Sequence, residues 1–389
     1  MTRDEHPRRP VRHVVSHGTM TVWAALLRLM FGLEGVVDRR LNAFLRRRPG
    51  WGPTVSPYIS YGITGSAHVR ARVLLSRRDD QRDRPGWALL AGLAPFLSVE
   101  IPGEEVSIEV AGQRILAVAG PEGYVEAALH LPELSPGWHE MTFGITGDPG
   151  YSARGRLLIV DPAAKLGVVS DIDDTIIHTG LTRLVEAIRT TLFTPEHVRK
   201  EIAGASEFYR GLVGGPAGPA QIFYVSTGAW NLHPVLERFL VRYSFPEGPV
   251  LMTDWGPSAA WLFREASVVF KCREITQLFE EHPQLMWVLV GDSGQDDPEA
   301  YAAVALAHPE RVHAVYIREV SATSPVRAAR VRQLTANLSR AGVGMLMVAD
   351  SAVAADDAHA RGLIDEKSRD RVRQAVEGGS QGGNVSPLG

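Results

Sequence analysis

The chain has 389 residues, 45% hydrophobic and 22% charged, the profile of a globular protein with enough length for two or three domains. A net charge of −3 argues against a broadly basic nucleic-acid binder, so no nucleic-acid partner is expected. Cys272 is the single cysteine, which excludes an intrachain disulfide framework and a cysteine-based zinc site.

The opening stretch, MTRDEHPRRPVRHVVSHGTM, is polar and basic and lacks the apolar core and small-residue cleavage site of a signal peptide. Residues 21–34, TVWAALLRLMFGLE, are interrupted by Arg28 and fall short of the roughly 20 apolar residues that a bilayer span needs. The chain therefore reads as cytoplasmic. Within a basic segment 1–54, residues 20–48 predict an amphipathic helix: Trp23, Leu26, Leu27, Met30 and Phe31 recur, then Arg39, Arg40, Arg46, Arg47 and Arg48 follow. Such a helix either makes a peripheral contact with an anionic membrane or docks on the protein's own core.

Residues 55–160 alternate apolar and polar positions in short runs such as HVRARVLLS, EVSIEVAG, YVEAALHL and HEMTFGI, with turns at PGEE, GPEGY, SPGWH and GDPGY. That rhythm predicts an antiparallel β-sandwich-like domain. From residue 161 it changes to strand–helix alternation. LGVVS (166–170), QIFYVS (221–226), SVVF (267–270), MWVLVG (286–291) and HAVYI (313–317) read as buried parallel strands. WNLHPVLERFLVRYS, EITQLFEEH and PEAYAAVALAH read as helices between them, so residues 161–320 predict a doubly wound α/β sheet. Residues 321–376 form a helical extension with an apolar piece, GVGMLMVADS, and the Gly- and Ser-rich 377–389 read as a disordered tail.

Ligands of such sheets bind beyond the carboxyl ends of the strands. Those ends carry Asp171-Ile172-Asp173-Asp174-Thr175, then Ser226-Thr227-Gly228, then Lys271, then Gly291-Asp292-Ser293-Gly294-Gln295-Asp296-Asp297. A calcium loop starting at Asp171 would need Gly and Glu where Ile176 and Thr182 stand. A polar turn explains any one group but not four in succession. As one site they suit phosphoryl transfer: a carboxylate at Asp171 can attack phosphorus, and Asp173 can donate a proton to the leaving alkoxide and later take one from water. Magnesium prefers oxygen ligands, which Asp171, Asp292 and the Asp173 carbonyl could supply, while Ser226 and Lys271 could bind the phosphate. His178, His197 and His233 lack ligand partners at convincing spacing and read as structural.

These residues resemble the four motifs of the haloacid dehalogenase superfamily. SDIDDTI, YVSTGAWNL, FK before a helix, and GDSGQDDPEAY narrow the resemblance, over roughly residues 55–320, to the App1-type phosphatidate phosphatase family, which is related to the lipin catalytic domain. The resemblance implies a haloacid dehalogenase-like fold and magnesium-dependent hydrolysis of phosphatidate to diacylglycerol. It makes Asp171 the nucleophile, Asp173 the acid/base and Thr175 a loop stabiliser. Ser226, with Thr227 and Gly228, and Lys271 hold the phosphate, and Asp292 binds the metal. The family commonly reads GDSGQHDP, so Asp297 matches its second acid, in a supporting or water-mediated role, and Asp296 takes the usual His position as the alternative. Its second motif often reads SNSPWNL, whereas this chain has STGAWNL, which leaves the substrate open between phosphatidate and a soluble phosphomonoester. A non-catalytic phosphatidate-binding module is the third reading; modules of that kind lose one of the two carboxylates kept here as Asp171 and Asp173. The segment from Gly180 to Gln221 is too short for a large cap, so an open site is expected.

Overall fold

A computed structural model describes residues 44–78, 99–120, 122–131, 134–172, 175, 202–230, 233–253, 267–320 and 324–381. The predicted helix over 20–48 lies almost wholly outside the described residues, as do Asp173, Asp174, His178 and His197.

The first part of the chain is β-structure: β1 (Trp51–Pro57), β2 (Ser60–Ile63), β3 (Ser66–Arg77), β4 (Val99–Glu100), β5 (Glu105–Val110), β6 (Gln113–Val118), β7 (Tyr124–His130), β8 (Gly137–Ile145) and β9 (Asp148–Ile159). Hydrogen bonds join them into one sheet in the order β1-β3-β2-β9-β8-β5-β6, with β4 and β7 also on β3, rather than into two separately bonded sheets. Every pairing is antiparallel except β2 with β9. The period of two in β3 explains its role. Ala67, Val69, Ala71, Val73 and Leu75 are fully buried in the core of this unit, so His68, Arg70 and Arg72 point the other way.

The second sheet is parallel and runs β12-β11-β10-β13-β14-β15, from β10 (Leu166–Ser170), β11 (Ala220–Ala229), β12 (Val250–Thr253), β13 (Met286–Asp292), β14 (Val312–Arg318) and β15 (Met345–Val348). Numbered among the described residues, the helices are α1 (Ala205–Val213), α2 (His233–Arg242), α3 (Ser267–Glu281), α4 (Asp297–Ala307), α5 (Pro325–Arg340), α6 (Ser351–Ala360) and α7 (Glu366–Gln381). One core cluster packs α1, α2, α6 and α7 on one face of the sheet, and the other packs α3, α4 and α5 on the opposite face. The chain starts in the middle at β10, builds outward through β11 and β12, then returns to build the other side from β13. The switch point therefore falls between β10 and β13, where a crevice opens at the carboxyl ends. Gly167 allows these two strands their side-chain fit, because a Cβ there would lie 2.5 Å from the Trp287 ring.

Three expectations change. SVVF is not a strand but the first turn of α3, since burial at Phe270, Lys271, Glu274, Ile275, Leu278 and Phe279 follows the helical repeat and overrides the local β-branched pair. The strand expected there is β12, a four-residue run pairing with β11. The apolar piece after residue 342 is β15, which pairs with β14, so residues 324–381 complete this α/β unit instead of trailing from it. Helix α7 also continues to Gln381, into the stretch read as tail.

Candidate active site

Asp171 immediately follows β10, and its backbone N–H continues the ladder by donating to the Val290 carbonyl at 3.0 Å. Ser170 before it donates to the Asp171 carbonyl at 2.7 Å and shares a 2.6 Å hydrogen bond with the buried Tyr209 hydroxyl, tying the strand tip to α1. Burial, with that hydroxyl contact opposing it, pushes the Tyr209 phenol above its ordinary pKa and keeps it neutral. Thr175 Oγ1 makes a long 3.4 Å contact with Asp171 Oδ2.

Asp292 closes β13, two residues past Val290, the last residue of that strand paired with β10. Its Oδ1 accepts from the backbone N–H groups of Gly294 at 2.6 Å and Gln295 at 3.2 Å, so the GDSGQ turn wraps around its own carboxylate. Gly291 is required by close approach: a Cβ there would sit 2.6 Å from Asp297 Oδ2 and 2.7 Å from the Tyr301 ring.

Lys271 enters from α3 and is fully buried. Its Nζ donates to Asp171 Oδ1 at 2.7 Å and to Asp297 Oδ1. Burial alone would favour the neutral amine, but the carboxylates of Asp171 and Asp297 outweigh it and hold the lysine pKa above its ordinary value. Asp297 also accepts from the Asp292 backbone N–H at 3.0 Å through Oδ2. Both its oxygens are thus engaged, one by the ammonium and one by the loop. Asp296, the alternative, is exposed and stands at the N-cap position of α4 without a side-chain capping bond.

Ser226 lies on β11, three residues before its end at Ala229, and is buried, with its Oγ accepting from the Gly228 N–H at 2.9 Å. Register with β12 slips between Ser226 and Ala229, so Thr227 and Gly228 bulge out of the ladder, and Thr253 Oγ1 donates to both of their carbonyls at 3.0 and 3.2 Å. Of the residues named from sequence, Asp171, Lys271, Asp292 and Asp297 converge directly. Thr175 touches Asp171, Ser226 follows the Ser170–Tyr224 pair by two residues on the neighbouring strand, and Asp173 lies outside the described residues.

Ligand atoms of Asp171, Asp292 and Asp297 all lie within 4.8 Å of one another. Three buried carboxylates face one ammonium, and this oxygen-only set with excess negative charge suits a hard divalent cation such as magnesium. With Asp297 taken up by Lys271 and the loop, Asp171 and Asp292 are the residues that would hold the ion.

Arg327 was not foreseen. From α5 it donates to the Ser293 carbonyl at 3.0 Å and to the Gln295 carbonyl, and pairs with Glu299, clamping the loop that carries Asp292. The sequence shows only a basic helix face there, with nothing to single out one arginine.

Residues 166–319 match the family model described as phosphatidate phosphatase APP1, catalytic domain. The chain is 31% identical to phosphatidate phosphatase APP1 of Saccharomyces cerevisiae over 153 residues, which is 39% of this chain and 26% of that protein. It is 28% identical to an uncharacterized protein of Schizosaccharomyces pombe over 159 residues, 40% of this chain and 25% of that one. The matched region spans about a quarter of the length of either relative. Among solved structures, a carbohydrate acetylesterase from Xanthomonas citri aligns over 84% of this chain and 74% of that one, at 10% identity. Its TM-score of 0.29 carries no argument about the fold. The family-model match falls on the segment that holds all four converging residues, so residues 166–319 are similar to the App1-type phosphatidate phosphatase catalytic domain.

Proposed function

We propose that this protein is a magnesium-dependent phosphomonoester hydrolase with a haloacid dehalogenase-like catalytic unit, acting on phosphatidate to release diacylglycerol and phosphate. The observation that carries the reading is the meeting of Asp171, Lys271 and Asp292 at the β10/β13 switch point, within the segment matched to a phosphatidate phosphatase catalytic domain.

In this reading an Asp171 oxygen attacks phosphorus and the bond from phosphorus to the glycerol oxygen breaks, leaving phosphate on the aspartate. Asp173 gives its proton to the departing alkoxide, then takes one from the water that attacks the phosphoaspartate, so inorganic phosphate leaves, Asp171 is again a carboxylate and Asp173 again carries its proton. A bound magnesium ion supplies positive charge that lets an anionic phosphate approach an anionic carboxylate. Lys271 fixes the rotation of the Asp171 carboxylate through Oδ1 and offsets charge beside it. The Thr227–Gly228 bulge turns backbone out of the sheet just after Ser226, and in this reading these residues hold the phosphate oxygens.

Phosphate release from phosphatidate in mixed micelles, with and without magnesium, tests the reading beside a panel of sugar and nucleotide phosphates. Asp171→Asn is expected to abolish turnover and keep the fold, because Lys271 stays paired with Asp297. Magnesium-dependent turnover surviving in that variant would overturn the assignment of the nucleophile. Faster hydrolysis of a soluble ester would replace phosphatidate as substrate while leaving the chemistry in place.

A further inference from the structure

A second cleft, about 410 Å³, lies between the two units and is walled by the β1–β2 connection, β9, the C-terminal half of α2 and the turn before β12. It is not the catalytic crevice. Gly248 on its wall packs against the backbone of Ile222 near the start of β11, whereas Ser226 stands four residues further along that strand, roughly 13 Å away at the usual rise per residue. The volume falls within the range typical of small-molecule sites and is far too small for a folded partner.

The floor is hydrocarbon and aromatic, from Pro57, Tyr58, Ile59 and Leu240, and Val241 at the mouth is 62% exposed. The rim is basic, with four arginines against two glutamates. Arg156 is taken by Glu247 at 2.7 Å and stacks over Trp138. Among the described residues Arg154, Arg238 and Arg242 have no carboxylate within ion-pair distance, and all three are exposed. An apolar floor beneath surplus positive charge matches a ligand with an anionic head and a hydrocarbon tail, and offers no array of polar groups for a nucleotide base or a sugar.

We propose that this cleft is a binding site for a free single-chain anionic amphiphile of the fatty-carboxylate class, its head held by Arg238 and Arg242 and its chain laid on the Tyr58–Leu240 floor. The site is separate from the catalytic carboxylates and does not depend on the phosphatase reading. Burial pushes the Glu237 carboxyl up to about 7, against the pull of Arg156 and Arg238, so near neutral pH this acid adds only part of a negative charge to the rim.

Calorimetric titration of the full chain with decanoate below its micelle concentration tests the site. Saturable binding to one site is expected. Arg238→Glu combined with Arg242→Glu, both exposed positions that leave the fold unaffected, should weaken it at least about tenfold, and Val241→Asp should also weaken it. Asp171→Asn should bind decanoate as the parent does, and decanol, which lacks the charge, should bind about tenfold more weakly. Absence of saturable binding would overturn the proposal. So would equal affinity in the charge-reversed variant, equal affinity for decanol, or loss of binding on changing Asp171.

Discussion

Lys271 is the residue whose chemistry depends most on its neighbours. A fully buried ammonium survives there because two carboxylates stand against it, and its removal would leave Asp171 and Asp297 facing each other without a cation. Lys271→Met is therefore expected to destabilise the fold by about 3–5 kcal/mol, read as a shift of the urea midpoint. Adding Asp297→Asn should recover part of that loss; an additive pair of effects would show that the contact carries no coupling. Asp297 itself resolves a choice that the sequence left open. Asp296 and Asp297 are adjacent and chemically identical, and only their rotation about the start of α4 decides that one is buried against Lys271 and the other faces water.

At the level of elements, β3 shows how one strand serves two units. Its alternate residues fill the β core, and the opposite set reaches the α/β unit: His68 pairs with Glu281 at 3.1 Å and Arg70 with Glu274 at 3.6 Å. Arg72, also fully buried, is satisfied by Glu100 at 2.7 Å and by the Glu122 carbonyl at 2.8 Å, and its guanidinium lies 3.0 Å from the Trp230 ring centroid. Trp230 follows the Ser226 loop in sequence, so the β unit props the loop from outside. A double-mutant cycle of Arg72→Ala and Trp230→Leu should return a coupling of about 1–2 kcal/mol in chemical denaturation, in keeping with a desolvated cation–π pair. Coupling near zero would mean that the two side chains are adjacent without supporting each other.

For the whole molecule, the joint between the units carries two neutral histidines. His233 packs on Tyr58 with ring centroids 4.2 Å apart, and His282 sits among Tyr61, Phe223 and Trp287. Neither ring has a hydrogen-bond partner, and burial pushes His233 down to about 3 and, with His68 adding to it, His282 down to about 4. A histidine whose folded pKa is depressed stays neutral in the fold while the unfolded chain takes up a proton. The stability it contributes is thus complete above about pH 6.5 and is lost as pH falls toward the folded values. Lowering pH from 7.5 to 5 should cost about 2 kcal/mol per histidine, seen in denaturation midpoints at the two pH values. His233→Phe with His282→Phe should flatten that dependence; an unchanged slope would place the acid sensitivity elsewhere.

Much of this was legible in local sequence. Buried parallel strands appear as short apolar runs and half-buried ones as alternation, and a strand end announces itself by a sudden polar residue. Asp171 and Asp292 could therefore be placed at strand ends before any contact was known, whereas β11 runs three residues beyond Ser226. SVVF misled for the converse reason: a β-branched run is a local preference, and the burial of α3 against the sheet overruled it. The sequence by itself determined the unit order, the strand–helix rhythm and the residue types gathered at the carboxyl ends, because each is written within a few neighbouring positions. Only the tertiary structure decided that β15 completes the sheet, that Asp297 rather than Asp296 meets Lys271, that Arg327 clamps the acidic loop, and that Arg72 braces Trp230. Those outcomes depend on which faces meet across the fold, and partners so far apart along the chain are selected by packing and charge in three dimensions, not by the pattern of their sequence neighbours.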